Sequence, residues 1–472
     1  MANRRHNHIY LAIFSCALLA FIGVLNETSM NVTYPELTRL FHVSLDVVQW
    51  VTAGYLLMVT LVMGTTAYLL RRFSARRLQL AASFFFIGGA TLCASAVSFP
   101  MLVAGRIVQA LATGLAMPMM FQLVFSTVPK ERLGMMTGMS GMVIALAPAL
   151  GPTYGGVVSE MLSWRLIFWL LIPFAILALV CGQLTINNLP TRSKAHFSWP
   201  AMVSLAVSLI AWTIAASSVG RRQTIGRAAF LAVVGLVFLL IFIVINQHGR
   251  GQLFDLTIFR RPTVACAGFA YFALQFINIG ISVVIPVYAQ EGLGISTVIS
   301  GLILLPGSLV GGAVAPLAGY WADRAHFRYP VLTGAALLFI ATIGFWFGQR
   351  SLNTWTLLGW YMLLRVGFNL SFATTLANTT TLVSPAQSAD VNSIFNMLQQ
   401  FAGSLGVSLL SAFLALAQSL GGGTLASRTY RGGTIDFVVL TVMALLTLLA
   451  LLVNHHLQYW GGIRINRCRK SE

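Results

Sequence analysis

Long apolar runs, each closed by a short polar or glycine- and proline-bearing cluster, follow one another along the whole chain. The runs are about 20 residues or longer, the length a helix needs to cross the hydrocarbon of a bilayer. They predict fourteen helices, at 9–33, 47–70, 78–97, 101–125, 135–158, 165–186, 198–218, 228–246, 263–289, 298–319, 329–348, 354–380, 391–417 and 434–456. The signal is weakest at 198–218 and 228–246, because Arg221, Arg222 and Arg227 fall between them. The expected fold class is therefore an all-α polytopic membrane protein.

Composition agrees. Of 472 residues, 57% are hydrophobic and 8% charged, against about 25% charged in soluble domains. The basic start followed by an apolar run resembles a signal peptide, but the run is long and many more follow, so it is expected to stay as the first helix.

A net charge of +18 would suggest nucleic acid in a soluble chain. Here the cations sort by loop, and no nucleic-acid motif accompanies them. An even number of spans puts both termini on one side. With the termini inside, Arg4, Arg5, the Arg71–Arg77 loop, Lys130, Arg132, Arg192, Lys194, Arg250, Arg260, Arg261, Arg324, Arg328 and the basic tail face the cytoplasm. Fewer cations (Arg39, Arg165, Arg221, Arg222, Arg227, Arg350, Arg428, Arg431) then lie outside. That asymmetry favours cytoplasmic termini and attraction to anionic lipid of the inner leaflet. Five cysteines without a CxxC pair suggest neither a metal site nor a disulfide framework. No GxxxxGK[ST] loop and no histidine cluster within a span is present, so no cofactor and no enzymatic chemistry are expected.

The candidate chemistry centres on Glu27, read as the one carboxylate well inside a span, the other acids falling in loops, at span ends or in the tail. A charged carboxylate in hydrocarbon costs several kcal/mol, so it must pair, take a proton or face water. A fixed ion pair that packs helices is the plainer alternative to a proton carrier. Counting about 1.5 Å per residue places Glu27 and Arg106 both about 8–9 Å below the outer boundary, where they can face each other. Polar side chains on other spans (Asn26, Asn31, Gln109, Gln122, Gln275, Asn278, Arg365, Asn369, Gln399 and Gln400) and the rings of Phe121, Phe276 and Phe395 are candidates for a cavity wall, each with helix packing as the competing role.

The two halves echo each other. Leu102 to Gln109, with Arg106, is echoed by Leu363 to Gly367, with Arg365; the basic loop that holds Arg72 and Arg76 is echoed by Gly319 to Arg324, with Asp323. Repeated bundles with a site between them are the plan of secondary transporters. The fifth span carries Ala147-Pro148-Ala149-Leu150-Gly151-Pro152-Thr153-Tyr154-Gly155-Gly156. Its small residues permit close helix approach, and its prolines mark a hinge.

Taken in order, these strings resemble the major facilitator superfamily in its fourteen-helix drug:proton antiporter branch. Leu25 to Pro35, Gln49 to Leu57, Arg106-Ile107-Val108-Gln109, Gly151 to Gly156, Ser163 to Phe168 with Pro173, Tyr288 to Gly294, and Leu305-Pro306 carry the likeness over nearly the whole chain. The resemblance implies two six-helix bundles, 1–190 and 251–472, joined by two extra helices in 191–250. It implies proton coupling at Glu27 and Arg106, gating by Pro148, Gly151, Pro152, Gly155, Gly156, Arg72, Arg76, Asp323 and Arg324, and a monomer in a bacterial plasma membrane. The expected partners are protons, lipid and an amphipathic small molecule, cationic or neutral, exported against proton entry. An anionic amphiphile is the alternative, and a non-transporting scaffold or sensor the third reading. Two departures stand out. The family's first-helix aspartate aligns with Asn26, so the acid here lies about 100° further round the helix. The family's loop aspartate aligns with Arg71, which weakens the gating contact expected in the first half.

Overall fold

The computed structural model describes residues 2–128, 130–186, 197–220, 224–248, 253–420 and 423–468. Among them there is no strand; long helices occupy all fourteen predicted stretches. We number these α1 Ala2–Ser29, α2 Trp50–Arg72, α3 Ala75–Ala94, α4 Phe99–Thr127, α5 Lys130–Met161, α6 Ile172–Thr185, α7 Trp199–Ser218, α8 Ile225–His248, α9 Pro262–Val287, α10 Thr297–Ala325, α11 Arg328–Phe347, α12 Thr354–Thr381, α13 Pro385–Ser419 and α14 Leu425–Cys468. Helix is the expected form, since hydrocarbon offers no partner to an unpaired backbone group. By length and apolar composition, twelve segments among the described residues can cross a membrane. The other two predicted stretches form α5 and α12. Polar content sets α12 apart: it carries Arg365, Asn369, Asn378 and a threonine-rich end.

The last stretch corrects the sequence reading. Arg428, Arg431, Gly432 and Gly433 suggest a loop ahead of a helix from 434, yet α14 begins at Leu425. Asp436 is therefore more than two turns inside a helix, fully buried, and Glu27 is not alone as an intramembrane acid.

α1 packs on α4, α5 and α6, and α3 on α4; in the second half α9 packs on α13 and α14, and α10 and α11 on α12. The two most extensive helix contacts between the halves are α5 on α10 and α2 on α13. The weakly predicted α7 and α8 both form and pair with each other. Ser208 Oγ donates to Gly235 O at 2.7 Å and Trp212 Nε1 to Ala232 O at 3.1 Å. α7 also packs on α2 and α13, while much of α8 is exposed apolar side chain suited to lipid. The Arg221-Arg222 pair between them, like Arg192, Lys194 and Arg250, lies outside the described residues.

Bonds between the halves gather at the end remote from the termini. There α1 tightens into the 3-10 turn Met30–Thr33 ahead of Pro35, whose missing N–H interrupts the α-helical ladder. Asn31 Nδ2 donates to Ser282 Oγ at 3.1 Å, and Gln290 Nε2 to Val32 O at 3.0 Å. Ser408 Oγ donates to Gln49 Oε1 at 3.0 Å, and Ser404 Oγ to Ala53 O at 2.9 Å. Where α5 meets α10, Val298 N donates to Glu160 Oε2 at 2.6 Å. This end is sealed.

At the other end, Asp255 anchors the turn before α9. It accepts from Thr257 Oγ1 at 2.5 Å, Thr257 N at 2.9 Å and Gln387 Nε2 at 3.0 Å. These bonds, those from Thr257 first, hold its carboxyl below the usual carboxylate range. A lowered acid contributes stability above its unfolded pKa and loses it as pH falls through the lowered value. The expected outcome is faster hydrogen exchange at Thr257 and Gln387 below that range, with Asp255→Asn exchanging fast already at neutral pH.

Candidate functional site

Arg106 on α4 is fully buried, so its charge needs partners inside the protein. Its Nε donates to Val51 O at 3.0 Å and its Nη1 to Gln109 Oε1 at 3.1 Å and to Asn26 Oδ1. The guanidinium lies 4.1 Å from the ring centroid of Tyr55, whose hydroxyl bonds Thr113 and Gly23 O. These contacts clamp α1, α2 and α4 together. Asn26, at the family's aspartate position, is the α1 residue bonded to Arg106, and among the described residues Glu27 and Arg106 make no hydrogen bond. Glu27 lies near enough to Arg106 to feel its charge, but the hydrogen bond that faces α1 goes to Asn26, one residue's turn away.

Glu27, 4% exposed, borders a cavity between the halves. From the first half come Val24, Glu27, Thr28, Met117, Pro148 and Pro152. From the second come Gln275, Asn278, Ile279, Ser282, Tyr361, Arg365, Gln399 and Gln400. The lining mixes apolar surface, amide groups, one acid and one arginine, as ligand pockets commonly do. Arg365 is partly held: its Nη1 donates to Asn278 Oδ1, its guanidinium lies over Phe368, and its buried Nε has no partner.

Of the other predicted wall residues, Gln275, Asn278, Gln399 and Gln400 border this cavity, and the rest have different places. Asn26 and Gln109 serve Arg106, and Asn31 bonds Thr52 and Ser282 in the seal. Asn369 Nδ2 donates to Arg365 O at 2.9 Å. Gln122 is exposed, and Phe121 packs on a separate apolar cluster with Met119 and Leu123. Phe276 is buried against α13 beside Gly406, and Phe395 against Tyr271. Thr28, Met117, Ser282 and Tyr361 were missed. Two had a usable signal, since Ser282 and Tyr361 stand four residues from Asn278 and Arg365 on the same helix faces.

The fifth-span motif forms the contact of α5 with α1 and α10. A Cβ on Gly151 would strike Thr28 Oγ1, one on Gly155 the Ser29 backbone, and one on Gly156 would come within 2.9 Å of Thr297 O. α5 runs unbroken through Pro148 and Pro152. Of the basic-loop residues, Arg72 is exposed, Arg76 Nε donates to Gln183 Oε1 on α6, and Arg324 lies over Tyr320 of its own helix. The side chain of Asp323 lies outside the described residues.

Removing Arg106 tests the clamp. Arg106→Leu leaves the Asn26 and Gln109 oxygens unpaired, at about 1–3 kcal/mol each. A marked fall in melting temperature is expected, with little rescue by Arg106→Lys, whose single ammonium lacks the fork. An unchanged melting temperature would exclude the clamp.

The family model for the Major Facilitator Superfamily matches residues 16–407. Lincomycin resistance protein LmrB of Listeria innocua is 30% identical over 450 residues, covering 93% of this chain and 95% of that protein. The protein of the same name from Bacillus subtilis is 29% identical over 412 residues, covering 86% and 85%. Among solved structures, a bacterial homolog of the human lysosomal transporter Spinster, inward-facing and unoccupied, has a TM-score of 0.69 at 13% identity, covering 95% of this chain and 97% of that one. The chain belongs to the major facilitator superfamily. It is a multi-pass membrane transporter, not an enzyme, and its relatives include proteins named for lincomycin and multidrug resistance.

Proposed function

We propose that the protein is a proton-coupled antiporter that exports amphipathic organic compounds by alternating access, with Glu27 carrying the proton. The observation that carries this reading is the place of Glu27: the carboxylate borders the cavity that both halves share. A carboxylate there is neutralised either by a proton or by a cationic substrate. Both loaded forms avoid moving a bare charge through the membrane, whereas the empty ionised form does not. Proton and substrate therefore exchange, one entering as the other leaves. The Asn26–Arg106–Gln109 clamp holds the α1 segment that carries Glu27 and supplies a fixed positive field near it.

In this reading fourteen helices span the membrane, 1–190 and 251–472 are the moving bundles, and α7 and α8 bridge them. The basic loops put both termini in the cytoplasm of a bacterial cell, so the sealed end faces outward. The unit is a monomer surrounded by lipid. The relatives' names make a lincosamide, an amphiphilic amine, the first probe.

A second reading rests on Arg365, which borders the same cavity. An anionic amphiphile would bind there, beside Gln275 and Asn278. Competition separates the two. With liposomes accumulating a labelled lincosamide, excess lipophilic cation is expected to block uptake and excess lipophilic anion to leave it unchanged. The reverse pattern would favour the anion reading.

A further inference from the structure

α14 holds an acid that this cycle does not use. Asp436 is fully buried, and among the described residues neither of its oxygens has a hydrogen-bond partner. It shares a face of α14 with Gly432 and Gly433, one turn earlier. A Cβ on Gly432 would come within 3.1 Å of Leu414 and Ala417 of α13, and one on Gly433 within 2.6 Å of the Tyr288 ring. Tyr288 opens the π turn Tyr288–Gly292 at the end of α9. Its hydroxyl, beside the Gln349 amide, makes no hydrogen bond of normal geometry among the described residues, nor does that of buried Ser411, one turn from Leu414 on α13. Three unpartnered polar side chains thus lie on α14 and on the two elements, α13 and the π turn, that pack on it. Buried polar groups are normally satisfied, so such a concentration calls for a function.

The charged groups on the surrounding elements are engaged elsewhere. Arg428 Nη1 donates to Gln418 O at 2.7 Å, although its buried Nε has no partner among the described residues, and Glu291 accepts from Gln418 Nε2 at 2.6 Å. Arg350 and Arg431 are exposed. Arg328, Asp390 and His455 stand at the opposite end of the bundle. Tyr430 and Tyr288 are the other titratable side chains at this level, and neither bonds Asp436. An ionised carboxylate in this setting has nothing to offset its lost hydration, whereas the protonated group loses far less.

We propose that Asp436 is a second proton-binding carboxyl, neutral while the end remote from the termini is sealed and opened to water from that side when the seal parts. The Tyr288 turn supplies the linkage. Tyr288 lies between Ser282 and Gln290, the two residues through which this segment bonds the turn that ends α1. Parting α1 from α9 moves Tyr288 against α14, at the face that buries Asp436. Proton uptake and resealing then favour each other reciprocally. The proposal rests on alternating access, but not on Glu27 as a carrier.

The test is infrared spectroscopy of the purified full-length protein in liposomes at neutral pH, in wild type, Asp436→Asn and Glu27→Gln. The carbonyl stretch of a protonated carboxyl is expected in wild type, retained in Glu27→Gln and reduced in Asp436→Asn. Should Asp436→Asn not fold, Asp436→Glu is expected to shift that band rather than remove it. Equal bands in wild type and Asp436→Asn, or an unshifted band in Asp436→Glu, would overturn the proposal. A second readout is the dependence of substrate exchange on the pH of the side that the sealed end faces, expected in wild type and flattened in Asp436→Asn while exchange persists. Failure of the Glu27 reading would show as undiminished proton movement in Glu27→Gln, and would leave the infrared result standing.

Discussion

Glu27→Gln is expected to abolish uphill transport, to the level of empty liposomes, while exchange of labelled for unlabelled substrate across the membrane continues. Glutamine is close in shape to a protonated glutamate, so the cavity bordered by Thr28, Gln275 and Arg365 keeps its outline. What it loses is the ability to alternate between charged and neutral. The carrier then returns empty without a proton, and a pH gradient no longer has a hold on it. Binding of a cationic substrate weakens as well, since the one acid on the cavity wall is gone. A structural role predicts a different pattern: lower melting temperature with the ratio of proton to substrate movement unchanged. The two are separable because Arg106, which does hold the helices together, bonds Asn26 rather than Glu27.

The second large effect is expected at Gly155. An alanine there places its methyl group against the backbone of Ser29, which cannot rotate aside as a side chain can. Overpacking of this kind costs about 1–3 kcal/mol, and here it pries α5 from α1 two residues after Glu27. Gly155→Ala is expected to lower the melting temperature and transport together. Gly151→Ala is expected to be milder, because the first atom it meets is the rotatable Thr28 hydroxyl. Gly88 and Gly312 have nothing within 4 Å of an added Cβ, so Gly88→Ala and Gly312→Ala serve as controls. Each is expected to gain about 0.5–1 kcal/mol from reduced backbone freedom. Equal behaviour of all four variants would show that close approach in the fifth-span motif is not what matters.

The helices were legible in the sequence because hydrocarbon permits so few alternatives. Even α7 and α8, interrupted by arginines, form where their apolar runs lie. The wall of the cavity was less legible. In a membrane helix both the lipid face and the protein face are apolar, so periodicity does not mark the inward side as it does in a soluble helix. Gln122 and Gln275 look alike in sequence; one is exposed and the other borders the cavity. Residue counts put Glu27 and Arg106 at one level but left their directions open, and a single-residue offset decided which of Asn26 and Glu27 bonds the arginine. Asp436 was hidden for another reason. The glycines and arginines before it suggest a loop, whereas the glycines are the surface on which α14 packs against Tyr288 and α13.

The most direct test of proton coupling at Glu27 is lumenal pH in liposomes that hold the purified protein under an imposed pH gradient. A lincosamide and a panel of lipophilic cations and anions are added in turn, to wild type and to Glu27→Gln. The account predicts proton movement on adding a cation in wild type and none in Glu27→Gln. Substrate transport without proton movement, the same in both proteins, would contradict it.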